Sequence, residues 1–180
     1  VYCCFSRCFN CVCPLGRGEL RPDAQGFNLA DRAIMAPVVE AAKKLGLILL
    51  FHASEPVGHE YKGKGKVTPE QLYQFIAAFP GVSIVCAHWG GGLPFYALMP
   101  EVAQAFQDTC FDTAATPLLY NPQIYRSVLD IIGSEKILFG SDYPLLSAGR
   151  LISQIRSVEL GAQDINAILG GNAQKLLKIR

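Results

Sequence analysis

The sequence predicts an α/β protein built on a parallel sheet. Its apolar runs of strand length, such as Leu47 to Phe51 and Val82 to Ala87, are continuous rather than alternating, which is the pattern of strands buried on both faces. Helix-length stretches separate the runs, and no hairpin signal joins them. Three runs also finish in a residue able to bind a metal or move a proton: ILLFHAS in His52, SIVCAHWGG in His88 and ILFGSDYP in Asp142. One buried His is usually a hydrogen-bonded core residue. Three such endings suggest polar groups converging at the carboxyl edge of one sheet, where α/β folds build their sites.

Order begins near Gly18, where GELRPDAQGF supplies one short element and a Pro/Gly-bearing loop. In DRAIMAPVVEAAKKLG, Ile34, Val38, Ala41, Ala42 and Leu45 recur at helical spacing, Asp31 is placed to cap the start, and Gly46 ends the helix. After the strand Leu47 to Phe51, SEPVGHEYKGKGKVTPE reads as a long loop on account of its glycines and of Lys62, Lys64 and Lys66. Thr68-Pro69-Glu70 starts the next helix with a cap and a proline, and Leu72, Phe75, Ile76 and Phe79 form its apolar stripe before Pro80-Gly81. Val82 to Ala87 is the next strand, Gly90-Gly91-Gly92 turns the chain, and a helix is expected from about Pro94 to Gln107. CFDTAA, residues 110–115, is a shorter strand carrying Asp112 and Thr113. Helix Pro122 to Ile132, strand Lys136 to Gly140 and helix Arg150 to Leu160 follow, then a short helix capped by Asp164 and a last one from Ala173 to Ile179.

At 180 residues, with 51% hydrophobic and 17% charged side chains and a net charge of +1, the chain suits one domain with a real core. It has no basic patch with interleaved aromatics, which argues against a nucleic-acid partner. No apolar run approaches the length of a membrane span, and a cytoplasmic location is expected. Five of the seven cysteines fall within residues 3–13. Their spacing does not form two separated C-x2-C knuckles and no His lies nearby, so residues 1–17 are read as an atypical cysteine-rich segment and 18–180 as the folded part. Together with the start at Val1, this composition suggests a partial chain.

His52 and His88 each offer one ring nitrogen to a divalent metal, while a second acceptor holds the other. Asp142 completes the set or takes a proton from a metal-bound water, whose pKa is lowered toward neutrality. The bland alternative, core or loop-anchoring histidines, stands beside this reading. In the long loop, Glu55, His59, Tyr61 and Lys64 are candidates for substrate contact on a segment that closes over a pocket, or belong to a solvated loop. Trp89 packs against substrate or is structural. Asp112 orients a neighbour or caps the following turn, and Arg150 is a candidate partner for a carboxylate. No G-x-S-x-G elbow follows any strand, and Ser54 and Ser141 stand in the wrong context for a serine triad. There is no dinucleotide or P-loop glycine motif either.

Taken together, ILLFHASEPVGHEYKGKG, SIVCAHWGGGLPFY, FDTAA, ILFGSDYPLL and ILGGNAQKLLKI resemble the amidohydrolase-related branch of the metal-dependent amidohydrolase superfamily, which includes aminocarboxymuconate-semialdehyde decarboxylase-like proteins. The resemblance implies a (β/α)8 TIM barrel, here incomplete, with roughly the last four to five βα units present. It implies a divalent metal, zinc with manganese as the alternative, held by His52, His88 and Asp142, with Asp142 and His88 catalytic. The family's H-x-H pair after its first strand has no counterpart. The chain is therefore expected to hold metal weakly, to turn over slowly, and to leave a strand edge and an apolar interior uncovered. For the intact enzyme the expected reaction is hydrolysis at a carbonyl or imine-like carbon of a small molecule such as an amide, ester or lactone. Non-oxidative decarboxylation of a small unsaturated or aromatic acid is the alternative, and a non-catalytic α/β module the contrasting class. The partner expected is a small-molecule substrate, with a homo-oligomer left open.

Overall fold

A computed structural model describes residues 16–61 and 63–179. The cysteine-rich stretch and Lys62 lie outside the described residues. Five strands, β1 (Gly16–Leu20), β2 (Ile48–Phe51), β3 (Ile84–Cys86), β4 (Thr109–Asp112) and β5 (Ile137–Leu138), form one sheet in the order β1-β2-β3-β4-β5. Every neighbouring pair is parallel. Nine α-helices are described: α1 (Pro22–Gln25), α2 (Arg32–Leu45), α3 (Pro69–Ala78), α4 (Pro100–Ala105), α5 (Thr116–Leu119), α6 (Gln123–Ile132), α7 (Ala148–Ser157), α8 (Ala162–Asn166) and α9 (Asn172–Leu177). Strand followed by helix, with sequential strands adjacent, is the construction of an incomplete (β/α)8 barrel. Among the described residues no helix is long and apolar enough to cross a membrane.

At α2 and α3 the helix ends follow the local chemistry read from the sequence, whereas Asp164, expected to cap a helix, lies inside α8, whose N-cap is Gly161. The Asp31 side chain accepts from the backbone N–H groups of Ala33 and Ile34, and Gly46 ends α2 in the left-handed conformation. Thr68 and Gln71 form a reciprocal capping box at α3, with Pro69 at its first turn.

Two further expectations about element bounds are corrected. The single helix from Pro94 to Gln107 is instead a 3-10 segment ending at Leu98 followed by α4 from Pro100. Pro100 is the cause: the residue before a proline is pushed out of helical geometry, and Met99 adopts φ −87°, ψ 120°. The second correction concerns the opening of the chain, where the one short element is a full edge strand, β1, followed by α1.

Side chains alternate between two cores. Leu49 and Phe51 of β2, Ile84 and Cys86 of β3 and Phe111 of β4 pack with Met35, Val39, Leu72, Phe75 and Val102 of the flanking helices. On the other face, Ile48, Leu50, Val85, Ala87 and Leu138 form a separate cluster against which Ala173, Leu176 and Leu177 pack. None of those five inner residues exceeds 6% exposure. The inner face is thus not left open as the resemblance implied, because α9 lies against it. Asn172, at the start of α9, donates from Nδ2 to the carbonyls of Ser134 (2.7 Å) and Ile137 (2.8 Å), which pins the helix to the entry of β5.

That anchor is testable. Asn172→Ala leaves two carbonyls without their donor and is expected to lower stability by about 1–3 kcal/mol, read as a lower urea midpoint. Lys175→Ala, on the exposed side of the same helix, should leave the midpoint unchanged.

Candidate metal centre

In extended chain every second side chain lies on the same face. Ile48 and Leu50 belong to the inner cluster, so His52 continues that face just past the end of β2. Leu20 packs on the outer core, which turns its neighbour Glu19 inward at the end of β1. The ligand atoms of Glu19, His52 and His88 all lie within 4.8 Å of one another. His52 Nδ1 is 2.7 Å from Glu19 Oε1, His88 Nε2 is 3.6 Å from the same oxygen, and the two imidazoles meet edge to face at 5.0 Å.

Each ring is held from behind. His52 Nε2 lies 3.2 Å from Ser54 Oγ, which also accepts from Gly65 N–H. His88 Nδ1 lies 3.1 Å from the Ala114 carbonyl; a carbonyl only accepts, so Nδ1 carries the hydrogen and a neutral His88 keeps its Nε2 lone pair toward Glu19. Asp112 fixes the backbone beneath, accepting at Oδ1 from the N–H groups of His88 (2.9 Å) and Ala114 (3.0 Å). Two imidazoles and a carboxylate, with outer partners setting the rings, match the donor set and support of a three-ligand metal site.

Local backbone geometry is unusual here. His88, Trp89, Ala115 and Asp142, four of the five non-glycine residues with positive φ among those described, all follow strand ends. Such conformations persist where the surroundings over-determine them and cluster at functional sites. From His88 to Gly92 the chain winds left-handed. A Cβ on Gly91 would stand 2.5 Å from the Ser54 carbonyl oxygen, so only glycine lets this turn lie against the β2 exit.

Glu19 and His88 shift each other's protonation. Burial alone raises the Glu19 pKa, but the contacts and charges of His52 and His88 outweigh it and hold the carboxyl well below the usual carboxylate range. For His88, burial opposes the imidazolium, yet the Glu19 contact and the charges of Asp112, Glu19 and Asp142 push the pKa up to about 9. Burial keeps Asp112 above its ordinary value, against the pull of His88 and the two backbone donors.

The remaining sequence candidates are placed as follows. Asp142 is half-buried and its charge acts on His88, but it is not among the three residues whose ligand atoms cluster. Trp89 is a core residue: fully buried, it donates to Thr116 Oγ1 at 2.8 Å and meets Tyr125 edge to face. Glu55 accepts from the Tyr61 hydroxyl at 3.2 Å. Burial, followed by the Glu55 charge, raises the Tyr61 pKa to about 12. His59 is exposed and its ring lies tilted against Tyr61, while Lys64 is paired with Glu60 at 3.0 Å and reaches the His59 carbonyl. Arg150 is exposed in the first turn of α7. Sequence reading missed Glu19, whose strand GRGEL has no apolar run to mark it. The available signal was a carboxylate next to a core-facing Leu and ahead of Arg-Pro.

The raised His88 pKa fixes a sign. Without metal, the stabilisation from the His88–Glu19 contact is full below the ordinary His value of 6.5 and is lost as pH rises through about 9. An ion must displace the same proton, so affinity for a divalent metal should rise over that window. Thermal melts across it, with and without manganese or zinc, are expected to show the metal-free midpoint falling while the metal-induced increment grows. Glu19→Gln, which leaves the Asp112 and Asp142 charges in place, should weaken both trends and lower metal affinity by at least about 10-fold.

A family model described as Amidohydrolase matches residues 15–179. Over 152 residues the chain is 22% identical to the 6-methylsalicylic acid decarboxylase of Penicillium expansum, covering 67% of this chain and 45% of that protein. The crystal structure of 5-carboxyvanillate decarboxylase from Sphingomonas paucimobilis is similar with a TM-score of 0.72 at 18% identity, over 91% of this chain and 58% of that one. The 5-carboxyvanillate decarboxylase of Novosphingobium aromaticivorans, complexed with manganese and 4-hydroxy-3-methoxy-5-nitrobenzoic acid, gives 0.70 at 15% identity, over 90% and 56%. The chain spans about half the length of these relatives. The structural likenesses establish the barrel-type fold, and, since the family model covers nearly all of the chain, the protein belongs to the amidohydrolase family.

Proposed function

We propose that the chain carries the metal-binding part of the active site of a carboxy-lyase, which removes CO2 from a small aromatic or unsaturated carboxylic acid without an oxidant. The observation that carries this reading is the Glu19–His52–His88 cluster at the carboxyl ends of parallel strands. The family name alone favours the hydrolytic reading, but the relatives described above are decarboxylases, and this supports decarboxylation over addition of water to an amide, ester or lactone. It also supports the decarboxylase-bearing branch that the sequence motifs resemble.

Glu19, His52 and His88 would hold the ion. When bound, a divalent ion supplies Lewis acidity toward the oxygen atoms of the substrate. Manganese is the first ion to test, because a related structure contains it, with zinc as the competitor. Ser54 and Ala114 keep the two imidazoles in orientation, and the Trp89–Thr116 hydrogen bond keeps the left-handed turn in place behind His88.

Decarboxylation breaks the bond between the carboxylate and its carbon. CO2 leaves, and the electron pair remaining on that carbon must be met by a proton. We assign that delivery to Asp142, which follows β5 beside His88. Thr113 supports its position by donating from Oγ1 to the Gly140 carbonyl (2.9 Å) and accepting from Gly140 N–H (3.0 Å). Asp142 then takes its proton back from solvent, and the step needs no electron acceptor.

Asp142→Asn is expected to reduce turnover by about 100-fold or more while metal content, by elemental analysis, stays at the wild-type level. Loss of metal in that variant would instead make Asp142 a ligand. Incubation of the metal-loaded protein with aromatic carboxylic acids should yield one CO2 per acid consumed and no product of added water. A product carrying added water with no CO2 would replace this reading by hydrolysis.

A further inference from the structure

We propose that Arg21 anchors the carboxylate of the acid bound at the Glu19–His52–His88 cluster. The proposal rests on the decarboxylase reading and adds the group that recognises the charge of the substrate. Strand pairing continues through Leu20, whose carbonyl accepts from His52 N–H at 2.9 Å. Leu20 packs on the outer core, and Arg21, at φ −118°, ψ 86°, directly follows it as the cap of α1. Arg21 thus stands two residues past Glu19, at the carboxyl end of β1.

The guanidinium is tied to the loop that lies over the cluster. Arg21 Nη2 donates to the Gly63 carbonyl at 3.0 Å. Two residues on, the backbone of Gly65 comes so near His52 that a Cβ there would stand 2.8 Å from Cδ2 of the ring. Arg21 and His52 thus meet the same short run of loop.

Among the described residues Arg21 makes no ion pair, and its Nε is buried without a hydrogen-bond partner. A buried donor left without an acceptor is unfavourable. A carboxylate removes both deficits at once, since its two oxygens match the fork of guanidinium donors. The other cations near the loop and mouth offer less: Lys64 is paired with Glu60, and Lys66 and Arg150 are exposed.

This role has a kinetic signature. The carboxylate charge disappears as CO2 forms, so a contact with it stabilises the bound acid at least as much as the transition state. Such a contact governs KM and leaves kcat largely intact.

The test uses the manganese-loaded chain and two probes, 2-hydroxybenzoate and its neutral carboxamide, titrated calorimetrically into the wild type, Arg21→Lys and Arg21→Gln. The expected result is a loss of about 10- to 100-fold in 2-hydroxybenzoate affinity for Arg21→Gln, a smaller loss for Arg21→Lys, and equal carboxamide affinity in all three. Manganese content should be unchanged, and kcat on any accepted acid should not fall with the rise in KM. Unchanged 2-hydroxybenzoate affinity in Arg21→Gln would overturn the assignment and leave the decarboxylase reading standing. Absence of carboxylate binding by the wild type would overturn both, and a parallel loss for the carboxamide would make Arg21 only a brace for the loop.

Discussion

Burial of one parallel sheet on both faces governs this molecule. A strand enclosed on two sides must send alternate residues into two different cores, and here β2, β3 and β4 contribute both to an outer layer against the helices and to an inner layer on which α9 packs. Once register is set, the residue at the carboxyl end of each strand has its direction fixed by the apolar residues before it. Glu19 and His52 face inward because Leu20, Leu49 and Phe51 are committed outward. The polar centre is the layer in which apolar alternation gives way to groups that hydrogen-bond one another.

Such a layer is costly to build from buried ionisable groups unless they satisfy one another. Glu19 lies between two imidazoles, Ser54 and Ala114 take their far nitrogens, and Asp112 receives the backbone donors of the next turn. The left-handed conformations at His88 and Ala115 lie beside this network and the Trp89–Tyr125 contact. The same contacts that stabilise the fold thereby preset the donor atoms.

Much of this was legible from the residues. The β2 and β3 runs, the Asp31 and Thr68 caps, and the pairing of His52 with His88 follow from apolar continuity, cap chemistry and repetition of a polar ending. Glu19 was not legible, because an edge strand with two glycines and one outward leucine gives no periodic signal; only pairing with β2 reveals its direction. The split before α4 needed the effect of Pro100 on Met99 to be weighed above the helical pattern around it. For Trp89 beside His88 the sequence left substrate packing and a structural role both open, and burial decides for the core because the left-handed turn carries it there. Cover of the inner face by α9 was invisible for a different reason: it depends on tertiary packing of α9 on the sheet, for which spacing holds no information.

That long-range contact has a bearing on how the protein is made. Residues 172–177 follow all five strands in the chain, so a nascent polypeptide leaving the ribosome displays Ile48, Leu50 and Val85 to solvent until α9 emerges. For that interval the emerging sheet offers a greasy surface to chaperones and to other copies of itself. The helix that seals the inner layer therefore also sets the moment at which this vulnerability ends.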